Sequence, residues 1–221
     1  MKVLYPLSVL AVALILAPQA NAHDDKYRRF AVTAGVVSQN QSGEQLVPVQ
    51  VGSAYPGGTD VDHGHDDTNM ALSAAWFATR NIAIELWGAG KSDASTEIDV
   101  ENAPDVHVAR YQTQPVALSA QYHFTQLGDT FTPFIGLGYH QTKVSGVQSN
   151  PALAQFDGLR IKGGNGPVAT VGLDANLSER WFVRGDVRYM RWNGESYVGA
   201  QRLADGSMSS LNYGASVGLR F

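Results

Sequence analysis

Short segments in which apolar and polar residues alternate recur along the chain. In Leu211–Phe221 every odd position is Leu, Tyr, Ala, Val or Phe, and every even position is Asn, Gly, Ser or Arg. A period of two is typical of a β-strand, whose side chains point to opposite faces in turn. About ten residues, when tilted, also suffice for a strand to cross a bilayer. The segment predicts a membrane-spanning β-strand.

Seven further segments show the same period, at about 29–38, 69–78, 82–90, 116–124, 133–140, 169–176 and 181–190. Long connections alternate with short ones. The long ones are about 39–68, 91–114, 142–166 and 193–210. Outer-membrane barrels have this asymmetry, with short periplasmic turns and long extracellular loops. The pattern predicts an all-β fold, an eight-stranded antiparallel up-and-down transmembrane β-barrel.

One face of the predicted strands combines small residues with six charged ones: Glu85, Asp174, Arg184, Asp186, Arg188 and Arg220. An arginine that faces lipid near the midplane costs roughly 2–4 kcal/mol. This face is therefore predicted to point into the lumen, where the three acids and three arginines form a balanced network.

Aromatic residues of the opposite face cluster at two heights. Those at the short-turn ends are Trp76, Tyr122, Phe124, Trp181 and Phe221. Those at the long-loop ends are Tyr139, Tyr189 and Tyr213. Two aromatic girdles mark the two interfaces of a membrane. A soluble lipocalin-like barrel would turn its apolar face inward and has no reason to sort its aromatic residues in this way.

Composition narrows the class further. The 221 residues carry a formal net charge of −4, which argues against a nucleic-acid partner, and they include no cysteine, which excludes a disulfide scaffold. Lys2, the apolar run Val3–Ala17 and the small residues of Ala20–Ala22 predict a cleaved signal peptide, residues 1–22. Residues 23–221 are then expected to form one barrel domain in the outer membrane of a Gram-negative bacterium.

Four motifs resemble the outer membrane protein W family, which includes alkane-uptake porin-like proteins. They are Ala78–Leu86, Phe134–Tyr139, Val171–Asp174 and Arg188–Met190. The resemblance implies a narrow, largely apolar channel that passes small hydrophobic molecules inward and releases them sideways through an opening in the barrel wall. Some family members act as surface receptors. The alternative is therefore a structural or adhesive barrel whose loops contact partners while its lumen stays closed.

Large apolar residues of the inward face lie near the long-loop ends of the strands. They are Val37, Trp87, Val168, Met190 and Trp192. They predict an apolar upper lumen above the charged set, suited to a hydrophobic channel; the alternative is that they only pack the interior. Pro133 cannot donate to the ladder, which makes it the candidate position for a lateral opening.

Candidate chemistry is sparse. His63 and His65 stand among aspartates in a glycine-rich loop, and imidazole with carboxylate suits Zn, Ni or Cu. Nothing fixes the geometry of that loop, so a solvated acidic loop is favoured, and neither a metal nor a cofactor is expected. Ser119 and His123 share the inward face. A lipid-modifying hydrolase would need them at the lipid-facing surface, so we expect no enzyme.

The expected partners are outer-membrane lipid and lipopolysaccharide, small hydrophobic molecules, and the barrel-assembly machinery. A last strand that ends in Phe221 resembles the signal that this machinery recognises.

Deleting Phe221 should lower the amount of folded barrel in the outer membrane more than it lowers the function of the molecules that do assemble. Surface levels are measured by quantitative blotting of outer-membrane fractions. Leu219→Ala, on the same face of the same strand, is the control. Normal levels of the truncated chain would contradict a signalling role of Phe221.

Overall fold

The alternating segments fold into ten antiparallel strands. The computed structural model describes residues 28–43, 67–98, 106–128, 130–149 and 158–221. The strands are β1 (Phe30–Gly43), β2 (Asp67–Phe77), β3 (Ile82–Ala89), β4 (Ser92–Ile98), β5 (Val106–His123), β6 (Phe131–Ser149), β7 (Leu159–Lys162), β8 (Asn165–Asn176), β9 (Trp181–Val198) and β10 (Gln201–Arg220). One turn of 3-10 helix, Thr125–Leu127, joins β5 to β6.

The ten strands occupy eight positions in a closed wall. The order is β10-β1-β2-β3-β5-β6-β8-β9, and the pairing of β9 with β10 closes the ring. β3 and β4 both pair with β5, so together they form one wall strand with an interruption. In the same way β7 and β8 both pair with β9 and form another interrupted wall strand. The predicted eight-stranded antiparallel barrel is confirmed.

The last strand seals the barrel. β10 pairs with β1 from Arg220↔Ala31 to Met208↔Gly43. At the short-turn end Phe30 and Phe221 exchange backbone hydrogen bonds of 3.0 and 2.9 Å, and their rings stack. A closed wall leaves no unpaired strand edge in contact with lipid, which a bilayer requires.

The strands extend further than the alternation predicted. β9 and β10 meet at a two-residue turn, Gly199–Ala200, where the φ of 60° at Gly199 favours glycine. The prediction of a loop at 193–210 is therefore wrong, and much of the loops predicted at 91–114 and 142–166 is also strand. Above the membrane the outward face meets water, so the apolar alternation stops while backbone pairing continues.

A strand as long as β10 reaches about 60 Å. Even when tilted it exceeds the hydrocarbon core, so the long hairpins project beyond the membrane on the extracellular side.

The outward face of the lower barrel is apolar and exposed. Leu137 is 72% exposed, and the aromatic residues Trp181, Tyr139 and Tyr213 are each about half exposed. These side chains form the lipid-facing surface with its two girdles. No helix within the described ranges is long and apolar enough to cross a membrane.

Pro133 does not open the wall, and the prediction of an opening there is wrong. β6 pairs with β8 without a break from Phe131↔Ala175 through Pro133↔Leu173. On the other side the Pro133 carbonyl accepts a hydrogen bond of 2.9 Å from the Phe124 amide, just beyond the end of β5. The missing N–H thus falls at the short-turn end, where the ladder between β5 and β6 ends.

Two predictions fall outside the described residues. They are the signal peptide at 1–22 and the histidines His63 and His65.

Candidate functional site

An ion pair crosses the lower lumen. Glu85 on β3 and Arg184 on β9 lie four positions apart in the ring of eight, so they face each other across the barrel. Arg184 Nη1 donates to Glu85 Oε1 at 2.8 Å, and Arg188 Nη1 lies 2.9 Å from Glu85 Oε2. Gln121 Nε2 donates to the same Oε2 at 2.7 Å. All four side chains are buried.

Asp174 on β8 contacts two of the arginines, Arg184 and Arg220. Arg184 binds it in a bidentate fashion, with Nε and Nη2 at 2.7 and 3.0 Å from the two carboxylate oxygens. Arg220 Nη2 donates to Asp174 Oδ2 at 2.9 Å, and Arg188 Nε donates to Asp186 Oδ2 at 2.8 Å. The structure thus brings together all six charged residues singled out from the sequence. We call this set the ionic plug: Glu85, Asp174, Arg184, Asp186, Arg188 and Arg220.

Aromatic rings cover the arginines of the ionic plug. The guanidinium carbon of Arg184 lies 4.3 Å from the ring centroid of Phe134, and that of Arg220 lies 4.1 Å from Phe182. Gly218 leaves room for Phe182, because a Cβ there would lie 2.1 Å from the ring. The lower lumen is thus occupied by a buried ion network and by the aromatic rings that cover it.

The upper lumen holds a large group of buried apolar side chains, next to buried polar ones such as Gln39 and Thr113. The five inward residues singled out from the sequence, Val37, Trp87, Val168, Met190 and Trp192, belong to one buried cluster. We call it the apolar cluster; its other members are Ala71, Ala89, Ala94, Ala109, Tyr111, Ala117, Leu159, Ile161 and Met208. Trp87 joins it to the ionic plug, since the Arg188 guanidinium lies 4.7 Å from its ring.

Several members of the apolar cluster were not predicted from the sequence. Ala94, Ala109, Tyr111, Leu159, Ile161 and Met208 lie in segments predicted as loops. Only their pairing in the extended hairpins places them over the lumen. A weak signal is present in Leu159 and Ile161, which alternate with Arg160 and Lys162.

The wall beside the apolar cluster is interrupted between β3 and β4. Pairing with β5 runs to Gly88↔Val116 and resumes at Ser92↔Thr113, so three residues stand opposite two. This is a one-residue β-bulge, which bends a strand and disrupts its ladder locally. Gly90 N donates instead to Met70 O on β2 at 2.8 Å.

Pro115 stands opposite this interruption. Its partner on β6 is Thr142, whose N–H donates to Gly164 O at 2.8 Å, away from β5. In an antiparallel ladder the backbone groups of Pro115 therefore face the interruption, where proline has no N–H to donate. We call residues Ala89–Lys91 with Gln114 and Pro115 the seam. The sequence reasoning missed the seam, although Gly90 and Pro115 are its visible signals.

Ser119 and His123 form no nucleophile–base pair. His123 Nε2 is hydrogen-bonded to Gln121 Oε1 at 3.1 Å, and Ser119 Oγ has no hydrogen-bond partner within the described ranges. The His123 ring stacks on Phe134 at 4.9 Å. Among the described residues no group of three His, Cys, Asp or Glu is placed to hold a metal ion.

A closed eight-stranded barrel with exposed apolar strands, aromatic girdles and a charged interior is the architecture of an outer-membrane protein of Gram-negative bacteria. The outer membrane protein W (OmpW) family model matches residues 30–211, and the chain belongs to this family.

Proteins of similar sequence agree with this family assignment. The chain is 28% identical to the outer membrane protein AlkL of Ectopseudomonas oleovorans over 148 residues, which cover 67% of this chain and 62% of that protein. It is 24% identical to outer membrane protein W of Escherichia coli K12 over 186 residues, 83% of this chain and 82% of the other.

In fold the chain is similar to OprG from Pseudomonas aeruginosa, with a TM-score of 0.63 at 17% identity over 90% of this chain and 99% of OprG. It is also similar to AlkL in lipid bilayers, with a TM-score of 0.64 at 22% identity over 90% and 94% of the two chains.

Asp174→Asn should destabilise the barrel by about 3–5 kcal/mol, because it removes the carboxylate that Arg184 and Arg220 share and leaves buried positive charge uncompensated. The free energy of unfolding is measured in urea with the barrel in lipid vesicles. Glu179→Gln is the matched control, since Glu179 pairs with Arg28 at the surface and is largely exposed. Equal unfolding midpoints for the two variants would contradict the role of the ionic plug.

Proposed function

We propose that the barrel is a passive channel for small hydrophobic molecules. They enter from the extracellular side, cross the apolar cluster and leave sideways through the seam. The observation that carries the proposal is the position of the apolar cluster, which ends below on the ionic plug and borders the seam on one side.

The ionic plug argues against a straight path to the periplasm. Its charges are buried and mutually paired, and separating a buried pair leaves an uncompensated charge. An apolar molecule offers these groups no replacement hydrogen bonds. A path through the lower lumen is therefore costly for the very molecules that the apolar cluster would admit.

An exit through the seam would cost less free energy. Trp87 and Ala89 on β3 and Ala117 on β5 are members of the apolar cluster from both sides of the interruption. Pro115 has no backbone N–H to donate there. Fewer backbone hydrogen bonds must therefore break for these strands to separate than elsewhere in the wall. The exit would open toward the lipid, where a hydrophobic molecule is stable.

The alternative function predicted from the sequence, a surface receptor with a closed lumen, depends on loops. Part of those loops lies outside the described residues, at 44–66, 99–105 and 150–157. The continuity of the apolar cluster with the seam favours the channel.

Trp87→Ala and Trp192→Ala should each raise the uptake of a hydrophobic probe several-fold. Both indoles are buried in the apolar cluster, so their removal widens the path. Uptake into lipid vesicles that contain the barrel is followed with a fluorescent hydrophobic probe. Trp181→Ala is the control, because Trp181 is about half exposed on the lipid-facing surface. Rates equal to that control would contradict the channel.

A disulfide across the wall beside the seam should slow delivery of the probe into the bilayer, and its reduction should restore the rate. Gly88→Cys with Val116→Cys places the pair at neighbouring Cα positions, and a Cβ at Gly88 meets nothing closer than 3.8 Å. The natural chain has no cysteine to interfere.

Val36→Cys with Ala215→Cys is the control disulfide, between paired β1 and β10 away from the seam. Equal rates for the oxidised and reduced seam pair, with the control also unchanged, would contradict a lateral exit at this place.

A further inference from the structure

Four buried amide atoms in the upper lumen have no hydrogen-bond partner within the described part of the chain. They are Gln39 Nε2, Gln41 Oε1, Asn69 Nδ2 and Asn212 Oδ1. Gln39 and Asn212 are at most 2% exposed. A buried amide that makes no hydrogen bond loses its hydration without compensation, at a cost of free energy. These four atoms are two donors and two acceptors.

The four residues form one patch on adjacent strands. Gln39 on β1 stands directly opposite Asn212 on β10, and Asn69 on β2 is opposite Val37, one inward position below Gln39. Gln41 is the next inward residue above Gln39. Directly opposed side chains of an antiparallel pair have Cβ atoms about 5 Å apart, and diagonal ones about 7–8 Å. We call Gln39, Gln41, Asn69 and Asn212 the amide patch.

The remaining amide atoms of two of these residues are already engaged. Asn212 Nδ2 donates to Ser210 Oγ at 3.0 Å and to Arg188 O at 3.4 Å, so Oδ1 is the atom of this amide that lacks a partner in the described part of the chain. Gln41 Nε2 donates to Thr113 Oγ1 on β5 at 2.5 Å, so Oε1 of Gln41 is likewise the atom without a partner there. The bonds of these two nitrogens fix the orientation of the amides, and with it the positions of Asn212 Oδ1 and Gln41 Oε1.

The amide patch adjoins the apolar cluster. Val37 precedes Gln39 on the same face, and Met190 stands opposite Ser210 next to Asn212. The strands that carry the patch are β10, β1 and β2, whereas Trp192, Leu159, Ile161 and Tyr111 come from the other strands of the upper lumen. The amide patch thus lies next to the apolar cluster, which also includes Val37, Ala71 and Met208 from the same three strands.

We propose that the amide patch binds the uncharged polar head of an amphiphilic molecule, such as a primary amide or an alcohol, while the apolar cluster holds its hydrocarbon part. This inference rests on the proposed channel function and defines its substrate class. A head group with both a donor and an acceptor matches the two donors and two acceptors of the patch.

A charged head does not match. The cation beside the patch is Arg188, the register partner of Asn212, and it already contacts Glu85 and Asp186. Among the described residues, a carboxylate in the patch would find Arg188 already ion-paired, and an ammonium would find Glu85 and Asp186 already ion-paired. Burying an unpaired charge costs far more than burying a hydrogen-bonded neutral group.

The test measures the binding of octanamide, octanol, octanoate and octane to the barrel in lipid nanodiscs. The fluorescence of Trp87 and Trp192, which lie in the apolar cluster, reports binding, corrected for partition into bilayers without protein. The wild type should prefer octanamide over octane by about tenfold, the equivalent of one hydrogen bond, and octanoate should bind weakly. Gln39→Met with Asn212→Leu should remove the preference and keep the binding of octane.

The control variant is Gln141→Met with Asn193→Leu, which makes the same chemical changes at exposed outward positions. It should keep the preference. Thermal unfolding of Gln39→Met gives a second readout. Replacing an amide whose Nε2 has no hydrogen-bond partner in the described part of the chain should not lower stability, whereas replacing an amide with a purely structural role would lower it. If the double variant fails to fold, Gln39→Met alone serves for the same comparison.

The outcomes separate the two proposals. A wild type that binds octane but shows no preference for octanamide, or a preference that survives in the double variant, would mean that water alone satisfies the patch; it would overturn this inference and leave the channel intact. Octanoate binding as tight as octanamide would overturn the neutral head group. A wild type that binds none of the four molecules would overturn both proposals.

Discussion

The structure depends on the ion pair that spans the lumen between Glu85 and Arg184. Neither group is stable alone in a buried site, and each is held by further partners, Arg188 and Gln121 on one side and Asp174 on the other. The pairing ties β3 to β9 across the barrel and ties β9 to β8. It also fills the lower lumen with paired charges, on which the proposed lateral exit depends.

The membrane imposes the second constraint, because backbone groups within the hydrocarbon region must find partners inside the protein. The closed wall meets this demand nearly everywhere. At the seam the demand is met differently, since Gly90 donates to Met70 and Pro115 has no N–H to satisfy. An interruption next to proline leaves fewer orphaned groups than one at any other residue, and it lies beside the apolar cluster rather than beside the ionic plug.

The comparison between Pro133 and Pro115 shows where sequence reasoning stops. Both prolines lie on strands, and the rule that proline cannot donate applies equally to each. Pro133 falls at the end of a ladder, where the lost donor has little effect, and Pro115 falls opposite a bulge. Register, which depends on pairing between distant segments, decides the difference. The same limit explains the missed extensions of β5, β6, β9 and β10, whose outward faces in water carry no apolar alternation.

By itself the sequence determined the eight spanning strands of the wall, the face of each that meets lipid, and the division of the lumen into an apolar and a charged level. The physical reason is that a charged side chain facing lipid is costly, so every spanning strand alternates between lipid-facing apolar residues and inward residues. Trp87, Arg184 and Arg220 were assigned to the interior on that ground alone. Only the tertiary structure decided which acid meets which arginine, where the wall is interrupted, and that Gln39, Asn69 and Asn212 share one patch. These features join strands far apart in the chain, and a local pattern carries no information about the register that brings them together.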